Sequence, residues 1–160
     1  IWTVQDALRC REQSGCSDLM LGRGSVADPG LALAVRAAVA DGVPHSEAVP
    51  AELPPAVSWA QLLPHLQRFW LMVCRDLTPN QRGGRLKQWL NLMRRRYPEA
   101  ENAFQSVRVL TKQHLVAEWL EQECERYGVE FVLQKQELAA YENRAPEAAL
   151  ILDSALAGRY

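Results

Sequence analysis

A three-residue apolar run, Leu19-Met20-Leu21, that ends directly in Gly22-Arg23-Gly24 limits this chain more than any other stretch. It reads as a short buried strand with a glycine corner at its tip, leading through Ser25, Asp28 and Pro29 into an apolar run from Leu31. One strand cannot bury both of its faces by itself, so its sheet partners must have been lost or come from elsewhere. A strand that ends in glycines and feeds a helix presents unpaired backbone N–H groups, a geometry suited to an anion such as a phosphate. Glycine helps there because it tolerates positive φ and lets a ligand approach the backbone closely. Gly22, Arg23 and Gly24 are therefore candidate phosphate-binding residues, although a plain turn carries the same Gly-X-Gly pattern.

The flanks fit a βα-type unit whose first strand is missing. Thr3 and Asp6 stand in capping-box spacing before Ala7, Leu8 and Cys10, and Gly15 offers a helix stop. Leu31 to Ala40 forms an alanine-rich helix. Residues 41–57, with Pro44, Pro50, Pro54 and Pro55 and no periodicity, read as a linker over a surface. Beyond it the pattern is helical. Ser58 caps a helix with Trp59, Leu62, Leu63, Leu66, Phe69, Trp70 and Val73 on its inner face, and Pro64 predicts a kink or an irregular first turn. Asn80 to Gly84 reads as a turn and Arg85 to Tyr97 as a second helix, ended by Pro98. Ala100, Ala103, Phe104 and Val107 line a third, and Lys112 to Tyr127 makes a fourth with Gly128 as its stop. Val129 to Leu133 could be a strand, and Lys135 to Gly158 offers one or two helices. The architecture expected is the end of an α/β unit over residues 1–40, an all-α helical bundle over 58–127 and a divergent C-terminal tail over 128–160.

Charge is distributed unevenly. The net charge is only -1, yet Arg82, Arg85, Lys87, Arg94, Arg95 and Arg96 crowd one stretch, while glutamates dominate the later part. Cys10, Cys16, Cys74 and Cys124 are dispersed and share no metal-ligand spacing with His45, His65 or His114, so no metal site is expected and a reduced, cytoplasmic setting is. No stretch approaches the roughly 20 apolar residues of a membrane span, so no membrane partner is expected. The chain begins Ile-Trp-Thr, without methionine or a basic leader, and reads as an interior cut.

In the second bundle helix, Leu86, Trp89, Leu90, Met93 and Tyr97 form one apolar stripe. Lys87 and Arg94 border it on one side, Arg85 and Arg96 on the other, and Arg95 points away. Such a face is either solvated, its aliphatic stems lying along a core helix, or a ridge that contacts phosphates through planar guanidinium forks. Contacts of the second kind would position a nucleic acid rather than read its bases. Trp59, Trp70, Trp89 and Trp119 are either stacking platforms or core filling.

Two blocks of residues, in order, resemble the C-terminal part of a tRNA-dihydrouridine synthase, most closely the bacterial subfamily acting on D-loop uridine 16. The first block is Ile1-Trp2 through Ala7 to Cys10, Ser14-Gly15-Cys16, Met20-Leu21-Gly22-Arg23-Gly24 and Pro29. The second is Arg85-Leu86-Lys87-Gln88-Trp89-Leu90, then Arg95, Tyr97, Phe104-Gln105 and Val107-Arg108-Val109-Leu110, beyond which the resemblance ends. The resemblance implies an FMN-dependent enzyme on a TIM barrel with a helical tRNA-recognition domain. NADPH would reduce the flavin, and the uracil would take a hydride at C6 and a proton at C5 from a cysteine. Residues 1–40 would be the truncated end of the barrel, its last βα unit, with Gly22, Arg23 and Gly24 on the FMN phosphate, as befits loops after the last barrel strands. Arg85, Lys87 and Arg95 match tRNA-facing positions; Arg94 and Arg96 join them on charge geometry. The catalytic cysteine would lie upstream of residue 1, and none of the four cysteines here stands in its motif, so the 160-residue chain is expected to be inactive alone; a monomer is expected. The alternative is a non-catalytic helical module that binds RNA or a protein.

Overall fold

The structure, a computed structural model, describes residues 1–42 and 56–133. Most of the linker read at 41–57, and the helices read between Lys135 and Gly158, lie outside the described residues. Within them the chain is helical: α1 (Val4–Ser14), α2 (Gly24–Ala27), α3 (Leu31–Ala40), α4 (Trp59–Asp76), α5 (Pro79–Met93), α6 (Pro98–Val107) and α7 (Gln113–Arg126). By compactness the chain divides into two units, Ile1–Ser58 with Trp89–Asn102, and Trp59–Gln88 with Ala103–Tyr160.

In the first unit, α1 opens as its spacing requires. The Thr3 hydroxyl accepts the Asp6 N–H at 3.0 Å, and the Asp6 carboxylate accepts the N–H groups of Trp2 and Thr3 at 3.0 and 3.2 Å. The Trp2 amide, more than any other group, holds that carboxyl below its ordinary range. Gly15 closes the helix by donating to Arg11 O at 2.9 Å. Ala7, Leu31 and Val35 make a small core where α1 packs on α3, and Ile1, Val4, Leu19, Leu21 and Val39 pack around it.

The segment 19–21 keeps a strand's side-chain alternation without being one. Leu19 and Leu21 turn onto the helices, while Met20 between them is 89% exposed. A strand exists through a hydrogen-bonded neighbour, and among the described residues there is none for this segment. The expected strand is thus corrected to an extended segment packed on one face.

The second unit is built on α4, whose residues Trp59, Leu62, Leu63, Leu66, Gln67, Trp70, Val73 and Cys74 are buried. The helix is continuous through Pro64, which is exposed. α4 packs on α7, where Val116, Ala117, Leu120, Glu123 and Cys124 are buried. Trp59 Nε1 donates to the Glu123 carboxylate at 3.0 Å, which accounts for a buried acid.

Three further expectations are corrected here. Residues 80–84 belong to α5, which starts at Pro79, a residue whose missing N–H costs nothing at a helix's first position. At its other end α5 stops at Met93, and residues 94–96 tighten into a turn with Arg95 N–H on Leu92 O and Arg96 N–H on Met93 O. Residues 129–133, read as a strand, are irregular. Their polar backbone groups meet Gln67, whose amide donates to Glu130 O at 2.9 Å and accepts the Val132 N–H at 2.8 Å.

Candidate functional site

The glycine corner is a tight, partly helical turn. Leu21 O accepts the Gly24 N–H, Gly22 O accepts that of Ser25, Arg23 O accepts those of Val26 and Ala27, and Gly24 O accepts that of Asp28 at 2.8 Å. Among the described residues, the N–H groups of Gly22 and Arg23 take no part in this ladder, and both residues are exposed. The two glycines serve different ends. Gly22 sits at φ +59 with open space where a side chain would go, so backbone conformation selects it. Gly24 is buried, and a Cβ there would collide with the Ile1 carbonyl oxygen and lie 3.3 Å from Leu31 Cδ2. Close packing selects that one.

Asp28 follows the corner and is only 6% exposed. Its Oδ1 accepts the Gly30 N–H at 3.0 Å and its Oδ2 accepts Arg96 Nε at 3.1 Å. Tyr97, next in the chain, donates its hydroxyl to Val57 O at 3.0 Å. Burial, reinforced by the Asp28 charge and opposed by Arg96, pushes that hydroxyl's pKa above its ordinary value.

The basic residues expected to form one ridge have separate surroundings. Arg85, exposed, reaches Gln88 Oε1 at 3.3 Å, and half-buried Lys87 donates from Nζ to Leu110 O at 2.7 Å. Both lie in the second unit. Arg94, Arg95 and Arg96 lie in the first. Arg94 pairs with Glu101 at 3.3 Å, Arg96 with Asp28, and the Arg95 guanidinium lies 4.5 Å from the centre of the Trp2 ring. Arg95 and Trp2 are both exposed, a cation on an aromatic face open to solvent. Arg82 is 1% exposed, with Nε on Leu77 O at 2.9 Å and Nη1 on the Gln113 side chain. Among the tryptophans weighed as stacking platforms, Trp59 and Trp70 are buried and Trp89 and Trp119 half-buried. Trp2, which meets the surface Arg95, carries no helical-stripe signal in the sequence.

Among the described residues no group of His, Cys, Asp and Glu is placed to hold a metal, and no helix is long and apolar enough to cross a membrane. An open cleft of about 290 Å³ lies between α1 and α3 in the first unit, floored by Leu19, Leu21, Val35 and Val39 and rimmed by Arg11 and Arg36.

Comparison with known proteins adds a lineage to this geometry. The family model described as dihydrouridine synthase matches residues 1–124. A tRNA-dihydrouridine(16) synthase of Aquipseudomonas alcaligenes is 45% identical over 126 residues, covering 79% of this chain and 33% of the relative. The Pseudomonas putida protein of the same name is 44% identical over 108 residues, 68% of this chain and 30% of the relative. That of Escherichia coli strain K12 is 33% identical over 110 residues, 69% and 30%. The chain thus spans about a third of the length of the curated relatives it matches. No solved structure matches it. With the family model covering more than half of the chain, and both the glycine corner and the basic α5 segment inside the matched span, the chain belongs to the dihydrouridine synthase family.

Proposed function

We propose that this chain is the C-terminal part of an FMN-dependent, NADPH-linked tRNA-dihydrouridine synthase acting on uridine 16 of the D-loop. The observation that carries the reading is the family match across residues 1–124, a span that holds both blocks, together with relatives named tRNA-dihydrouridine(16) synthases. In this reading residues 1–40 are the last βα unit of a TIM barrel. That placement fits an extended segment with helices on one face and an exposed Met20 on the other, the side that would face the barrel interior.

The residues of the corner fit a phosphate. Gly22 and Arg23 offer exposed backbone donors, and the Arg23 side chain adds positive charge. Gly24, whose N–H goes to Leu21 O, lets the corner close on Ile1. With FMN bound, the chemistry supplied is hydride transfer to a uracil ring. The part of this chain is to anchor the phosphate end and to hold tRNA. For the second task Arg85 and Lys87 act in one unit and Arg95, flanked by Arg94 and Arg96, in the other. Arg94 and Arg96 already face carboxylates, which leaves Arg94 a smaller share of the phosphate contact than Arg85 and Arg95, and Arg96, paired with a buried acid, little or none. No cysteine here is assigned as the proton donor, and on this reading the protein is a cytoplasmic monomer.

The test is a chimera in which the upstream two thirds of the Pseudomonas putida relative precede Ile1. It is expected to purify yellow with FMN and to form dihydrouridine in tRNA, whereas the 160-residue chain alone binds tRNA without turnover. A colourless chimera, or an isolated chain that reduces uridine, would contradict the reading.

A further inference from the structure

The Asp28–Arg96 pair joins two segments far apart in sequence, the glycine corner and the turn that ends α5, and both lie in the first unit. Its setting is not that of a surface ion pair. Asp28 is 6% exposed, its Oδ1 is fixed by the Gly30 N–H at 3.0 Å, and its own N–H closes α2 on Gly24 O at 2.8 Å. A buried carboxylate is stable only if its charge is met, and Arg96 Nε meets it at 3.1 Å. Beside the pair, the contacts close into a ring. Gly30 backs onto Ala56 and Val57 so tightly that an added Cβ would sit 3.0 Å from Ala56 Cβ, and Tyr97 donates to Val57 O. The loop of residues 22–28 is therefore tied through Asp28 to Arg96, while the donors that would meet a phosphate are the backbone N–H groups of Gly22 and Arg23.

We infer that Arg96 is a positioning residue for the glycine corner: through buried Asp28 it fixes the loop that presents the Gly22 and Arg23 donors, and it does not serve as a tRNA contact. The inference rests on the flavin-phosphate reading proposed above and assigns Arg96 a different role from its neighbours. Because Arg94 and Arg95 project from the same turn, the turn that faces RNA and the loop that faces phosphate share one anchor.

The experiment compares Arg96→Ala, Arg96→Lys and Asp28→Asn with Arg94→Ala as control. In the chimera with the upstream barrel, Arg96→Ala and Asp28→Asn each weaken FMN affinity about tenfold, and the double variant is no worse than either alone. Arg96→Lys, which keeps the charge, recovers part of the loss. In the 160-residue chain, Arg96→Ala speeds amide exchange of Ala27 and Asp28 about tenfold, and Arg94→Ala does not. The slope of tRNA affinity against salt stays unchanged in Arg96→Ala. A slope flattened by about one unit with FMN affinity intact would make Arg96 an RNA contact and overturn the inference. FMN binding by the parent chimera with equal binding by every variant overturns the inference alone; a parent that binds no FMN overturns the flavin reading with it.

Discussion

The ammonium of Lys87 lies 2.7 Å from the carbonyl oxygen of Leu110. A side chain proposed to meet tRNA thus also ties α5 to the backbone beyond α6, across a separation of 23 residues. An ammonium has three donors, so one bond to a carbonyl leaves two for a phosphate. Lys87→Met is expected to lower the free energy of unfolding by roughly 1 kcal/mol, the usual net worth of such a bond, besides weakening tRNA binding. Denaturant titration of the 160-residue chain checks it. Unchanged stability would reduce Lys87 to a surface charge.

Arg85 and Arg95 differ from Lys87 in being exposed, and among the described residues neither meets a carboxylate. Removing either should leave stability within about 0.5 kcal/mol, as for other surface positions. Each should flatten the dependence of tRNA affinity on salt by about one unit, because each would neutralise one phosphate. Arg94→Ala, whose guanidinium already faces Glu101, should flatten it less. Binding isotherms at several salt concentrations decide this, and equal effects from all three would mean that the Glu101 pair yields entirely to RNA.

How much of this was legible in the sequence depends on whether a residue's role is local. The capping box of Thr3 and Asp6, the stops at Gly15 and Gly128, and the buried stripe of α4 involve neighbours a turn apart, and the structure has each of them. The start of α5 was misplaced because Gly83-Gly84 reads as a break, whereas Pro79 sets the first turn and the buried Arg82 side chain holds it to Leu77 O. Both expected strands failed for one reason: a short apolar run shows what can be buried, but only a hydrogen-bonded neighbour makes a strand. The partners of Asp28, Gln67 and Trp2 lie 68, 65 and 93 residues away in the chain, at Arg96, Val132 and Arg95, and no periodicity carries that information. The association of 89–102 with the opening residues is illegible in the same way.

Gln67 is fully buried and spends its amide on the 129–133 segment, with Cys124 Sγ at 3.3 Å as a further acceptor. Gln67→Leu preserves volume but removes both bonds to the segment, whose residues Glu130 and Val132 are exposed enough for water to take them up. The expected cost is about 1 to 3 kcal/mol, two bonds at about 0.5 to 1.5 each. Amide exchange at Val132 should rise more than anywhere in α4. If it does not, the segment is held by its apolar contacts instead.

The two glycines of the corner should lose stability to the same substitution for different reasons and by different amounts. Gly22→Ala places a side chain in open space at φ +59 and should cost about 1 kcal/mol, the penalty for a left-handed L residue. Gly24→Ala adds no such strain but runs into backbone at Ile1, which cannot rotate aside as a side chain would. It should therefore be the more destabilising of the two, and thermal melts of both variants should rank them so. The reverse order would mean that residues 1–2 lift away from the corner easily.

The four thiols divide by environment. Burial pushes Cys74 from 9.0 up to about 12, opposed by the Arg82 charge, and burial with the Glu123 charge pushes Cys124 from 9.0 up to about 11. Cys16 is exposed and Cys10 half-buried. In the folded chain at about pH 8, a thiol reagent should modify Cys16 first and leave Cys74 and Cys124 until unfolding, since only thiolates within reach attack. The same shifts fix a sign for stability. Above the ordinary value of 9.0 the unfolded chain releases these protons while the folded chain keeps them, so the folded state binds more protons and stability falls as pH rises. That loss begins near 9.0 and grows towards the raised values of about 11 and about 12. Cys74→Ala should show a smaller fall over this range in denaturant titrations. An equal fall in the variant would assign the alkaline loss to other groups.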